Sequence, residues 1–242
     1  MTRPALLDNV THRALRVHTD RNAGLGDARQ FALALPAEFR QLQAHYPIVF
    51  QAIDGSYQPL ALFGLEPDQN LFLQGGRWDA PVLPMSVQRD PFMIGRNGDQ
   101  LQLHVDMDSP RVVKPEEGDV GTAVFMPHGG HSEHLDHVVS LLEHLHAQAQ
   151  ALPSFIAALM ELELLEPFAL EVSFSDGQQG RVSGLFTTNE ERLAALSGEV
   201  LERLQRHGYL LPIYMQIASL SRLQDLVERQ HRLTQQQQQQ GR

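Results

Sequence analysis

Residues 92–106 read FMIGRNGDQLQLHVD, two short runs of strand-forming residues on either side of Asn97-Gly98. An Asn-Gly pair takes the positive φ values that a tight turn between antiparallel strands demands, so the segment predicts a hairpin of Phe92 to Gly95 and Gln102 to Asp106. The same punctuation governs everything from Ile48 to Phe125, where short apolar stretches are separated by Gly, Pro, Asn and Asp. Further strands are expected at Ile48 to Ile53, Leu60 to Phe63 and Leu71 to Leu73, with Asp54-Gly55 as a second turn.

Downstream of Gly130 the apolar period lengthens. Leu135, Val138, Val139, Leu142 and Leu145 form one stripe of a helix from Ser132 to Gln150, with Ser132 as its cap. A second helix is expected from near Pro153 to about Leu165. Residues 169–174 and 180–186 around Ser175-Asp176-Gly177 read as a hairpin, and Asn189 caps a short helix containing Leu193 and Leu196. Two more helices are expected over 198–207 and 215–232. Upstream, 16–31 reads as an irregular arm with one short strand, and Pro36 and Pro47 bracket a helix over 37–45. Strands precede most helices instead of alternating with them, so the fold class is α+β, a strand-rich N-terminal half of antiparallel hairpins packed with C-terminal helices. No linker or repeat divides the chain. A single domain over residues 1–234 is expected, followed by a disordered Gln-rich tail at 235–242.

Composition narrows the function. The 29 acidic residues exceed the 19 basic ones and give a net charge of -10, which disfavours nucleic acid as a partner. The chain has no cysteine, so disulfides, thiolate metal sites and thiol catalysis are excluded. Arg3, Asp8, Arg13, Arg16, Asp20 and Arg21 interrupt the first thirty residues, and the longest apolar runs, such as Leu210 to Met215, are too short to span a bilayer. A cytoplasmic protein without a transmembrane segment is the expectation.

Several segments taken together resemble the bacterial SapC-like family. They are Tyr46-Pro47-Ile48-Val49-Phe50, Gly64-Leu65, Asn70-Leu71-Phe72, Trp78, Leu83-Pro84, Arg89 with Pro91-Phe92, Val105-Asp106 with Ser109, Leu164-Leu165-Glu166-Pro167, Gly184-Leu185-Phe186 and Ser219-Leu220. The resemblance covers roughly residues 10–230. It implies a bacterial accessory protein, associated by name with surface layers and by gene context with envelope or peptide-modification systems, and it brings no catalytic constellation. The chain departs from the family pattern at Val87-Gln88-Arg89-Asp90, which is less basic than expected, and at His104, where a small or apolar residue is expected.

Two chemical readings follow from the residues. In the first, Trp78 and Arg89 bracket a proline-rich loop and, with Asp106, form a recess for a peptide or protein partner: an indole platform beside a guanidinium suits a carboxylate or an aromatic side chain. This reading needs no cofactor, and the helical C-terminal part offers a face for a homodimer. The competing structural role makes Trp78 a plug and pairs Arg89 with Asp106 or Asp90. In the second reading His104 and Asp106, two apart on one strand face, join a downstream histidine in a mononuclear Fe(II) oxygenase with 2-oxoglutarate as cosubstrate. His128, His131, His134, His137, His144 and His146 are the candidate third ligands, the first four foremost. Glu133, Asp136 and Glu143 on the same helix argue instead for a wet histidine surface. The residues alone leave binding and catalysis both open.

Overall fold

The structure is a computed structural model and describes residues 2–74, 76–98, 100–173 and 179–240. In chain order its first strands are β1 (Pro4–Leu6), β2 (Arg16–Val17) and β3 (Phe31–Leu33), followed by the short helix α1 (Phe39–Leu42). Strands β4 (Ile48–Ile53), β5 (Ser56–Leu62), β6 (Leu73–Gln74) and β7 (Arg77–Trp78) lead to α2 (Met85–Gln88). Then come β8 (Phe92–Asn97), β9 (Gln100–Asp106), β10 (Thr122–Ala123) and the long helix α3 (Glu133–Glu161). Strands β11 (Leu165–Ser173) and β12 (Gln179–Thr188) precede α4 (Glu190–Ala194), α5 (Gly198–Arg206), α6 (Leu210–Ser219) and α7 (Arg222–Gln240). The architecture is α+β with antiparallel pairing throughout.

The chain contacts itself in two compact units. The first comprises Met1–Ala28, Leu73–Asp79 and Met85–Ala147, and the second Arg29–Phe72, Ala80–Pro84 and Gln148–Arg242. In the first unit β8 and β9 form the expected hairpin, with Phe92 opposite Val105, and Gly98 at φ 60° turns the chain. Strand β1 pairs on the other side of β9, Leu6 facing His104. Three residues carry too little pattern to be read as a strand in advance. Phe92 and Val105 point to a core shared with Val17, Val124 and the α3 residues Leu135, Val138 and Leu142, which lie at helical spacing. Ser132 Oγ accepts the Leu135 amide at 3.2 Å, the N-cap that the sequence predicts.

In the second unit the sheet order is β11-β12-β4-β5-β3, so the late hairpin returns to pair with the early one. Asp54 at φ 50° and Gly55 at φ 76° turn β4 into β5 as expected. The turn predicted at Ser175-Asp176-Gly177 lies outside the described residues. Strands β12 and β4 pair only at Leu185 with Gln51 and Phe186 with Phe50. Where they part, buried Gln216 of α6 replaces the ladder: its amide nitrogen donates to the Ile48 carbonyl at 2.8 Å, and its oxygen accepts the Thr188 hydroxyl at 2.6 Å and amide at 3.2 Å. Ser219 Oγ accepts the Ile48 amide at 2.9 Å. Each such buried group left unpaired would cost about 1–3 kcal/mol, which makes this side-chain patch part of the sheet.

The segments that carry the family resemblance are mostly architectural. Tyr46 is fully buried with its ring 5.2 Å from Phe63 and 4.8 Å from Phe72, and its hydroxyl donates to the Val82 carbonyl at 2.6 Å. Gly64 is required because a Cβ there would meet the Gln69 carbonyl oxygen at 2.3 Å.

Three helical expectations are corrected. The helix expected over 37–45 is a 3-10 turn at Pro36–Glu38 followed by α1 alone, because the Leu42 carbonyl takes both His45 and Tyr46 amides and closes the run. Pro153 does not divide α3, which runs unbroken through it. Pro153 lies on the exposed face, where water can bond the carbonyl that loses its amide partner, while buried Phe155, Ile156 and Leu159 hold the other face. The helix expected over 215–232 is two helices. The Leu220 amide bonds back to Ile217 and the Ser221 amide to Ala218, tight bonds that end α6 before α7 begins. Helix α7 continues through Gln235 to Gln240, and glutamine is a good helix former.

Candidate functional site

Arg89 and Asp106 meet at the same end of the β8–β9 hairpin, where the Asp106 amide donates to the Pro91 carbonyl at 3.0 Å. Their charged groups, however, are engaged with backbone. Arg89 Nη1 donates to the Phe92 carbonyl at 2.9 Å instead of pairing with Asp90 or Asp106. One Asp106 carboxylate oxygen accepts the amides of Arg3 at 2.8 Å and Asp108 at 3.1 Å. Trp78 stands half-buried on the β6–β7 ribbon, opposite Leu73.

That Asp106 turn has a further consequence. The Ser109 amide bonds to the Asp106 carbonyl and Ser109 Oγ accepts the Arg111 amide, so the chain reverses and sends Arg111 inward. Arg111 is 1% exposed, and its Nη2 donates to both carboxylate oxygens of fully buried Asp27 at 2.6 Å. Its Nη1 donates to the carbonyls of Asp20 at 2.8 Å and His18 at 3.2 Å, leaving Nε without a partner among the described residues. Arg21 adds a longer contact to Asp27 at 3.4 Å. Burial first, and then the Arg111 charge, weaken the Arg21 hold on its proton, while Asp27 and Asp90 oppose that shift. Sequence reading missed this centre because no local pattern links residues so distant in the chain.

His104 lies on the face of β9 opposite Val105. Its ring packs over the adjacent strand at Gly95, where a Cβ would meet ring carbon Cε1 at 2.4 Å, and its Nδ1 is 3.2 Å from the Gln102 carbonyl. His128 is exposed in the turn before α3. His131 Nδ1 lies 3.1 Å from Asp136 in an exposed pair, and His137 is exposed. His134 is different: its ring is 6.1 Å from Phe92 and its Nε2 is buried without a partner among the described residues. Burial, then the charges of His137 and Arg21, hold its pKa below the usual imidazole value. The wet-surface reading therefore fails at this one position. Among the described residues no three His, Asp or Glu side chains converge as a metal ion would require.

The second unit holds a hollow of about 330 Å³ between the Pro36–Ala37 turn, the C-terminal half of α3 and the start of α6. Its walls are Leu152, Phe155, Tyr209, Leu211 and Met215. Phe155 and Tyr209 meet edge to face at 5.4 Å. Apolar surface continues outward, since Leu211 is 51% and Tyr214 49% exposed on α6. The polar side chains at this hollow are Arg40, Gln148, His207 and the Tyr209 hydroxyl. Arg40 is exposed, and neither Arg40 nor the Tyr209 hydroxyl bonds any other described residue. His207 stacks on Tyr209 at 5.5 Å and donates from Nδ1 to the Arg203 carbonyl at 2.8 Å, which leaves Nε2 available. An apolar recess with a few uncommitted polar groups on its rim is the usual form of a ligand site. Sequence reading missed it too, because its walls come from three distant segments.

No helix among the described residues is long and apolar enough to cross a membrane. The family model described as SapC matches residues 7–226 of this chain. No curated protein and no solved structure matches it.

Proposed function

The chain belongs to the SapC family, and from that premise we propose that it is a binding protein that docks a peptide segment of a partner in the hollow of its second unit. The observation that carries this reading is the combination of exposed apolar side chains, Leu211 on the hollow and Tyr214 beside it on the same helix, with an Arg40 guanidinium and a Tyr209 hydroxyl that bond no other described residue. Burying apolar surface yields about 25 cal/mol per Å², so a partner covering these side chains would gain the free energy that the folded chain leaves unused. The family's association with envelope and peptide-modification systems is consistent with an accessory protein that presents or holds a polypeptide.

A random peptide library displayed on phage, panned against the whole chain, tests the reading. The same panning is repeated on a chain carrying Leu211→Ser and Tyr214→Ser, two exposed positions whose substitution should change stability by less than about 0.5 kcal/mol. Peptides enriched on the native chain and lost on the variant are the expected result. Equal enrichment on both chains, or none on either, overturns it.

A further inference from the structure

Resting on that reading, we infer that the occupant of the hollow is an acidic, apolar peptide segment, one that seats aliphatic or aromatic side chains against α6 and sets a carboxylate on Arg40. The first argument is shape. Tyr214 and Met215 lie three and four residues after Leu211, and Ala218 lies four and three after them, the spacing of a single helix face, and all four are exposed or half-exposed. A stripe of this kind receives an amphipathic partner through its own apolar face. The adjoining hollow of about 330 Å³ takes the largest anchoring side chain.

The second argument is charge. The chain has 29 acidic residues and a net charge of -10, yet no Asp or Glu lines this hollow. Its ionisable rim consists of Arg40 and His207, with the Tyr209 hydroxyl as a further donor. A lysine-bearing peptide would be repelled here. A neutral one would gain nothing from the guanidinium. A carboxylate pairs with it by a charge-assisted bond, and the Tyr209 hydroxyl is a further donor on the same rim. The unfavourable field of the whole chain decays over about 8 Å at physiological ionic strength, so the local complement decides the contact.

The test uses the full chain and two fluorescent peptides of one length, both with leucines on one helical face. One carries glutamates on the other face and its counterpart carries glutamines. Anisotropy titration should show the glutamate peptide binding about tenfold more tightly, the value of one charge-assisted contact. Arg40→Ala should abolish that difference by weakening the glutamate peptide alone, and Leu211→Ser should weaken both. Equal affinities for the two peptides, or a preference that survives Arg40→Ala, would overturn the carboxylate assignment while leaving the docking site in place. Binding of neither peptide, or binding of both that Leu211→Ser does not weaken, would remove the site itself. Sedimentation equilibrium closes the remaining route: dimers of the native chain that Leu211→Ser dissociates would identify a second copy as the occupant.

Discussion

Arg111 and Arg40 show how differently one residue type is used in the two units. Arg111 is buried, with Nη1 on two carbonyls and Nη2 on the Asp27 carboxylate, so nearly all of its hydrogen-bonding capacity is consumed inside the fold. Arg40 stands on the surface beside an apolar hollow and bonds no other described residue. A buried guanidinium without its carboxylate is prohibitive, whereas an exposed one without a partner costs nothing because water solvates it. The first arrangement therefore holds a structure together, and the second is free to hold something else.

Removing Asp27 tests the contrast most severely. Asp27→Ala strands the Arg111 charge in the interior and should cost about 3–5 kcal/mol in urea unfolding. Replacing both members, Asp27→Leu with Arg111→Met, should recover much of that loss, because the penalty belongs to the unpaired ion more than to the missing bond. A small cost for Asp27→Ala alone would show that water reaches Arg111 and that this centre is open to ligands, reversing the roles assigned to the two arginines.

A smaller effect is expected at the hairpin, where the sequence places the clamp of Trp78, Arg89 and Asp106. Arg89→Ala removes one bond to the Phe92 carbonyl and should cost about 1 kcal/mol. Neither Arg89→Ala nor Trp78→Ala should alter peptide affinity. If either variant keeps its stability and loses the peptide, binding belongs to the hairpin of the first unit, and the hollow of the second is incidental.

What could be read from the sequence was local. The Asp54-Gly55 turn and the Ser132 and Asn189 caps are fixed by residues within a few positions of one another and appear where expected, while the turn expected at Asn97-Gly98 falls one residue later, because Asn97 ends its strand paired with Gln100. The functional geometry was not local. Asp27 and Arg111 are 84 positions apart, and Gln216 and Ile48 are 168 apart. Short segments gave the family, but the residues that carry it, such as Tyr46, Gly64 and Ser219, prove to be core and sheet closures. Recognising them identified the fold more surely than the site. Asp106 shows why: a carboxylate beside an arginine suggests a clamp, while its oxygen in fact secures the turn that delivers Arg111.

The smallest effect, and the one that sharpens the contrast within the first unit, concerns His134. Its Nε2 is buried without a partner among the described residues, and burial holds its pKa below the ordinary 6.5, so the folded chain favours the neutral ring. The sign follows from linkage. As pH falls through 6.5 the unfolded chain takes up a proton here that the folded chain resists, so the stability associated with this group is complete above 6.5 and is lost below it. His134→Leu, which keeps the contact with Phe92 and has nothing to protonate, should therefore flatten the decline in urea midpoint below pH 6.5 and leave the neutral-pH value unchanged or raised. His137 and Arg21 contribute charge to the same site, so His137→Ala should produce a weaker version of the effect. Parallel acid limbs for the native and His134→Leu chains would mean that His134 is hydrated after all, and that the interior around Phe92 is less closed than its packing indicates.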